Sequence, residues 1–447
     1  MKNIIKFIAI IAVLASSCSK ILDVEPTAAI SVEEALKDKN GIQNALTGSY
    51  STLQSIGSYG RNQIIVQDLA ADNLIWSGTT LDYSDISNNN TLYDNGIIDG
   101  MWTANFDGIN RVNNIIAALP GIDDVSDEER DQFEGEALFL RALFNFNLAW
   151  YFGGIPIKLI PTTDLNNLDQ SRNTMGEVMN QIIIDLVSAR QKLSDNGITG
   201  RADTCAADAM LARLYLAQFH LTNDPQYADM AIEKASVIIN NSEFSLAPVY
   251  SDLFNLEAPN STEPIFEVVY DAQNSNRLAQ YFMTVDLNGR YEVAPSDDYI
   301  QSFEEGDVRL EASVAYDDVN KPYVIKYTDL TSGTDRVIVL RLAEMYLIRA
   351  EALAYTNGPI NEIIADIDFI RNRAGLAGTI ANDYASLKLA IENERRHELA
   401  FEGHRWYDLV RTKRAVDVIG IDECQILFKI PKSEILTNKL MIQNPPC

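Results

Sequence analysis

Glu392-Asn393-Glu394-Arg395-Arg396-His397-Glu398-Leu399-Ala400-Phe401-Glu402-Gly403-His404-Arg405-Trp406-Tyr407-Asp408-Leu409-Val410-Arg411-Thr412-Lys413-Arg414-Ala415 is the stretch whose reading decides the fold. Five arginines and a lysine face four glutamates and an aspartate, and Leu399, Phe401, Trp406, Tyr407, Leu409 and Val410 are threaded between them at helical spacings. A solvated helix face does not need so many large apolar side chains, and an apolar core excludes so many charges. The pattern fits a partly buried ion-pair lattice in which planar arginine forks grip carboxylates and pin helices together. Its expected role is architecture, centred on Arg395, Glu398, Glu402 and Arg405.

Working outward, three helical stretches align on an arginine: Leu138-Phe139-Leu140-Arg141-Ala142, Met210-Leu211-Ala212-Arg213-Leu214 and Tyr346-Leu347-Ile348-Arg349-Ala350. Alanines and aromatics mix in each as in the first helix of a tetratricopeptide hairpin, where a small residue admits a neighbouring helix closely. Amphipathic partners follow at Met175 to Leu193, Tyr227 to Ile239 and Ile360 to Arg373. The arginines are 72 (141 to 213) and 136 (213 to 349) residues apart, so insertions interrupt the repeats and a plain superhelix is not expected. Between Phe244 and Arg341 the period changes. Pro264 to Tyr270, Tyr323 to Tyr327 and Arg336 to Leu340 read as short strands. From Asp72 to Gly100 the chain is rich in Asn, Asp, Ser, Thr and Gly with isolated Trp76, Tyr83 and Tyr93, which predicts a long functional loop.

The arginine-rich stretch resembles the C-terminal signature of the SusD/RagB family, nutrient-binding lipoproteins of the outer face of Bacteroidetes-type outer membranes. Four more segments are similar to that family in the same order. They are Cys18-Ser19-Lys20-Ile21-Leu22-Asp23-Val24-Glu25-Pro26, then Glu136 to Ala142 running into Trp150-Tyr151-Phe152-Gly153-Gly154-Ile155-Pro156. Leu342 to Ala352 with Ile370 to Leu376 comes next, and Lys429 to Ile435 closing on Gln443-Asn444-Pro445 is last. The resemblance implies a mostly α fold, a SusD-like α/α superhelix. A tetratricopeptide-like hairpin scaffold would support a loop-rich, partly β half that holds the ligand. It also implies non-catalytic binding and a partner, a TonB-dependent SusC-like porin to which the captured ligand passes.

Lys2 and Lys6, the apolar run Phe7 to Leu14, and small Ala15, Ser16 and Ser17 read as a secretory signal ending before Cys18. The expected arrangement is a lipoprotein signal over 1–17 and a mature domain over 18–447. Its N-terminal part extends to about residue 230 and carries 72–100; its C-terminal part starts near 260. Lipidation at Cys18 would anchor the chain to the outer membrane, surface-exposed. The net charge of −27 argues against nucleic acid, which requires a basic surface that releases counterions. A neutral ligand is the simpler partner. Besides Cys18, three cysteines remain, Cys205, Cys424 and Cys447, with no C-x-x-C pair, so neither a disulfide framework nor a zinc site is indicated. Cys205 reads as a small buried residue, and no pairing of Cys424 with Cys447 is inferred.

The chain has no G-x-S-x-G, phosphate-loop, G-x-G-x-x-G or H-E-x-x-H motif. His397 and His404 are one heptad apart, but the arginines around them favour structural roles over a metal, and no cofactor is expected. A lipid-anchored glycoside hydrolase needs only two carboxylates, which sequence cannot locate; the family resemblance speaks against it. Carbohydrate capture suits the aromatics: a ring covers the apolar face of a pyranose while Asn, Asp or Arg at its rim takes the hydroxyls. The candidate ligand residues are Trp76 with Asp72, Asn73, Tyr83, Tyr93 and Arg61, and a second patch of Tyr281, Arg290 and Tyr291. The expected ligand is an oligosaccharide; a peptide, as in RagB-type uptake, is the alternative.

Overall fold

The computed structural model describes residues 31–163, 168–195, 197–258 and 261–447. Cys18 and the run before it lie outside the described residues. The scaffold is a sequence of packed helices: α1 Lys39–Leu53, α2 Gly96–Ala118, α3 Asp127–Phe152, α4 Met175–Lys192, α5 Thr204–Thr222, α6 Pro225–Ile239, α7 Leu342–Tyr355, α8 Ile360–Arg373, α9 Tyr384–Glu398 and α10 Arg405–Arg411. From α1 to α7 each packs on the next, and α7 holds both α8 and α9. Local sequence sets their starts. Ser126 with Glu129 and Thr174 with Glu177 form reciprocal capping boxes on α3 and α4, and Asp224 caps α6 ahead of Pro225, whose missing N–H needs no partner there.

All three expected hairpins form, as α3/α4, α5/α6 and α7/α8. Arg141 of α3 grips Asp185 of α4 through two bonds of 2.7 Å, and Arg349 of α7 grips Asp366 of α8 at 2.9 and 2.6 Å. The middle arginine behaves differently. Arg213 of α5 reaches Glu344 of α7, at 2.8 and 2.6 Å, and so fastens one hairpin to the next.

Among the described residues the β content is six short strands in three antiparallel pairs: β1 Leu74–Trp76 with β3 Val293–Pro295, β2 Pro264–Val268 with β6 Val337–Arg341, and β4 Val314–Tyr316 with β5 Pro322–Val324. Three of these lie where alternation predicted strands. The region 72–100 is not the long loop its composition suggests. It holds β1, a helix over Leu81–Ser87 and the first turn of α2, whose N-cap is Asn95. Polar residues there cap and turn the chain instead of lengthening it. Cys424 and Cys447 form a disulfide with a Cα separation of 5.4 Å, so the chain has a covalent clasp where cysteine spacing suggested none.

The arginine-rich stretch is buried, and most of its partners come from far along the chain. Glu398 accepts from Arg341 at 2.5 Å and Arg309 at 3.2 Å, and is also paired with Arg373. Glu402 meets Arg341 and Lys326, both at 2.8 Å. Arg395 holds Asp408 at 2.9 Å, Arg411 bridges Asp408 and Glu351, and Arg405 holds Asp72 at 2.6 and 2.8 Å. The lattice therefore joins α7, α9, α10 and the Asp72 turn into one body. His397 stacks on Phe303 and meets Ser302 Oγ at 2.9 Å, while His404 lies 3.9 Å from Glu344. Burial, reinforced by Arg309 and Arg396, pushes the His397 imidazole down to about 3. Burial also takes His404 down to about 4, although Glu344 opposes it.

One buried carboxyl gives the fold a measurable pH dependence. Asp68 is wholly buried; its Oδ1 accepts from Asn73 and from the Phe401 N–H, while Oδ2 has no partner among the described residues. Burial raises its pKa to about 7, against those two hydrogen bonds. Between about pH 4 and 7 the folded state then keeps a proton that the unfolded chain releases, so stability falls as pH rises, by at most about 1.4 kcal/mol per unit. Urea titrations across that window should show this slope for the native chain and not for Asp68→Asn. Equal slopes would remove Asp68 as the cause.

Candidate functional site

Pairing of β1 with β3 brings together two segments more than 200 residues apart, with Trp76 opposite Val293 and Ile75 opposite Ala294. The turn after β1 closes over Glu292. Ser77 and Gly78 donate their N–H groups to the Glu292 carbonyl, and the N–H groups of Thr79 and Thr80 each donate to its Oε2 at 2.9 Å. Gly78 is required here, because a Cβ would fall 2.3 Å from Glu292 Oε2 and 2.5 Å from its Cα. Burial pushes the Glu292 carboxyl up, but the bonds from Thr80, Arg290 and Thr79 more than reverse this and hold it below the usual carboxylate range.

Around that turn the structure assembles one polar, aromatic surface from both predicted patches. The Arg61 guanidinium lies 4.2 Å from the Tyr281 ring centroid and 6.0 Å from that of Tyr83, and Arg290 lies 5.1 Å from Tyr281. Tyr83 meets Tyr281 edge-on at 6.0 Å. Arg61 Nε donates to Asn62 Oδ1 at 2.8 Å, which also accepts from the Tyr83 hydroxyl at 3.0 Å; among the described residues nothing accepts from Arg61 Nη1 or Nη2. Arg290 is 47% exposed and is steered by Glu292 at 3.0 Å. Tyr291 has φ of +51°, a conformation uncommon for a bulky side chain. It is held there by Ser77 Oγ donating to its carbonyl at 2.8 Å and by its own hydroxyl donating to Pro322 O at 3.0 Å. The arrangement can stack a flat ring and donate several hydrogen bonds beside it.

Other predicted residues sit elsewhere. Asp72 and Asn73 belong to the lattice: Asp72 is held by Arg405 and Arg396, and Asn73 is buried between Asp68 and Arg396. Tyr83 is fully buried, so it supports Tyr281 and Arg61 from beneath. Their polar character suggested ligand contact; in the structure Asn73 and Tyr83 are buried with hydrogen-bond partners, and Asp72 is held in ion pairs. Trp76 is half-buried at the end of β1, packs on the core and has a buried indole N–H without a partner among the described residues. It is not the free loop residue that composition implied. Tyr93 is 45% exposed and lies apart, beside Lys432 and the C-terminal tail. Glu292, Gly78, Thr79 and Thr80 were not legible in the sequence, since nothing local marks a carboxylate that will accept from a distant turn.

Among the described residues no helix is long and apolar enough to cross a membrane, and no group of three or more His, Cys, Asp or Glu is placed to hold a metal ion.

Residues 20–216 match the family described as "Starch-binding associating with outer membrane", and residues 319–423 match the SusD family, so the matches together span more than half of the chain. SusD-like protein P2 and SusD-like protein P38 of Formosa agariphila are 26% and 27% identical to the chain. Alignment with P2 covers 99% of each; that with P38 covers all of this chain and 99% of the relative. A SusD superfamily protein of Bacteroides vulgatus superposes with a TM-score of 0.83 at 21% identity, covering 92% of this chain and 99% of that one. A laminarin-binding SusD-like protein superposes at 0.81 with 22% identity, covering 92% and 100%. Surface glycan-binding protein A of Bacteroides thetaiotaomicron in complex with laminarihexaose superposes at 0.78 with 20% identity, covering 91% and 100%. The ordered signature segments, the hairpin scaffold with its buried arginine lattice and these matches agree: the chain belongs to the SusD/RagB family.

Proposed function

We propose that this chain is a cell-surface binding protein that captures an oligosaccharide without cleaving it and delivers it to a TonB-dependent SusC-like porin in the outer membrane. The observation that carries the reading is that Arg61, Arg290 and Tyr281 meet on one surface, with Arg290 held by Glu292, next to Tyr291 and the β1–β3 pair that ends in Trp76. Rings next to guanidinium donors suit a sugar's apolar face and rim hydroxyls. The structurally similar laminarin-binding SusD-like protein and the laminarihexaose complex of surface glycan-binding protein A support the same ligand class. Affinity electrophoresis against neutral polysaccharides, laminarin first, tests it: retarded migration in at least one gel is the expected result. No retardation in any, with binding of a peptide mixture, would place the chain with RagB-type peptide binders, and release of reducing ends would make it a hydrolase.

Anchoring follows from the signal and Cys18. Replacing Cys18 with alanine should move the protein from the membrane to the soluble fraction of cells. Membrane retention of that variant after a high-salt wash would refute lipidation at this position.

A further inference from the structure

A third arginine stands beside Tyr281. Arg277 opens the short helix Leu278–Phe282, and its carbonyl accepts from the Tyr281 N–H at 3.2 Å. The two residues are thus helical neighbours four apart, with Cβ atoms about 5–6 Å from each other. The Arg277 N–H donates to the Gly60 carbonyl at 2.9 Å, next to Arg61, and the Gln280 carbonyl accepts from the Arg290 N–H at 2.6 Å. Arg61, Arg277 and Arg290 are therefore gathered around one tyrosine. Arg277 is exposed, and with Gln280, Asn288, Thr331 and Ser332 it lines a polar cavity of about 100 Å³.

The chain is strongly acidic, with a net charge of −27, and its carboxylates take up its arginines. Among the described residues every other arginine pairs with a carboxylate or donates to backbone carbonyls. Arg61 and Arg277 do neither; Arg61 gives only its Nε, to the Asn62 side chain. The carboxylates nearby are already filled. Glu292 accepts from Thr79, Thr80 and Arg290. Asp329, which lines the same cavity, accepts from the N–H groups of Thr331, Ser332 and Thr334 and from the hydroxyls of Ser332 and Thr334. Burial pushes the Asp329 carboxyl up, but those bonds hold it well below the usual carboxylate range. Lys321, 5.9 Å from the Tyr291 centroid, has Asp317 beside it to accept its backbone N–H. The surface therefore offers open guanidinium donors and no carboxylate free to meet them. An anion only accepts hydrogen bonds, and a planar arginine fork matches it with two parallel ones. Net charge favours a neutral ligand, but charges beyond about 8–10 Å are screened, so the groups in contact decide.

We infer that the saccharide taken at this surface carries an anionic substituent, a uronate carboxylate or a sulfate ester, received by Arg277 and Arg61 beside Tyr281. The inference rests on the oligosaccharide reading above and names the class within it. Calorimetry on the mature chain tests it with laminarin, laminarin oxidised to the uronate at carbon 6, and laminarin sulfate, which hold the backbone constant and separate the two anions. Polygalacturonate beside its full methyl ester repeats the carboxylate comparison on a second backbone. At about 20 mM salt at least one acidic form is expected to bind about tenfold tighter than its neutral counterpart, and the advantage should fade at about 0.5 M. Arg277→Gln should abolish that preference with the melting temperature unchanged. If Arg61→Ala loses sugar binding but the neutral forms bind the native chain as tightly as the acidic ones, the anionic inference falls and the oligosaccharide reading stands. The inference falls in the same way if Arg277→Gln keeps the native preference, or if dextran sulfate, an unrelated polyanion, binds as tightly as laminarin sulfate. Absence of binding to every saccharide, or binding of an acidic peptide in their place, overturns both.

Discussion

Glu398→Ala is expected to lower stability by about 3–5 kcal/mol, the cost of leaving charges buried without their counterion. Glu398 is wholly buried and is the shared partner of Arg309, Arg341 and Arg373, three cations from three separate segments of the chain. Burial by itself would raise its pKa, but the charges of Arg373, Arg341 and Arg309 overcome that and hold the carboxyl well below the usual carboxylate range. Since a domain's whole stability is about 5–15 kcal/mol, the loss is large enough to leave the chain poorly folded. Urea denaturation is the measurement, because guanidinium salt screens the ion pairs under test. Arg405→Ala should act in the same direction with smaller effect, as Asp72 is its only partner among the described residues and is itself also held by Arg396. An unchanged urea midpoint for Glu398→Ala would show that the lattice is not what holds α7, α9 and α10 together.

Arg61→Ala should weaken oligosaccharide binding by about 10- to 100-fold with the fold preserved. A charged hydrogen bond is worth about 1.5–3 kcal/mol, and tenfold in affinity corresponds to about 1.4 kcal/mol. The stability cost is modest, because Arg61 gives up a cation–π contact with Tyr281 and one hydrogen bond to Asn62, each worth about 0.5–1.5 kcal/mol. Trp76→Ala should also abolish detectable binding, but with a loss of stability, since the ring packs on the core and leaves a gap when removed. Circular dichroism with affinity electrophoresis separates the two variants. Native-like affinity in Arg61→Ala would remove the guanidinium from the site.

The scaffold was legible because its signals are local. Helical period, capping boxes at Ser126 and Thr174, and an arginine at a fixed place in each hairpin's first helix all lie within one turn or a few. The lattice was legible as a composition but not as a set of pairs: Glu398 finds its partners at 309, 341 and 373, a matter of tertiary packing. The site was half legible. Arg61, Trp76, Tyr281, Arg290 and Tyr291 could be singled out by residue type, yet sequence read them as two patches, because the Arg61–Tyr281 contact and the β1–β3 pairing that link the two are tertiary. Asp72, Asn73 and Tyr83 had the right chemistry for a ligand, but Asn73 and Tyr83 are buried and Asp72 is held by Arg396 and Arg405, neighbours that sequence does not identify. The Cys424–Cys447 clasp escaped for the same reason, two cysteines 23 residues apart meeting only after the tail folds back.

The most direct test of the central claim is a crystal structure of the mature chain soaked with whichever oligosaccharide retards it in affinity gels. A sugar ring is expected against Tyr281 and Trp76, with hydroxyls in hydrogen-bond range of Arg61 Nη atoms and of Arg290. Sugar density confined to another face of the molecule, with the Arg61 and Tyr281 surface left to solvent, would contradict it.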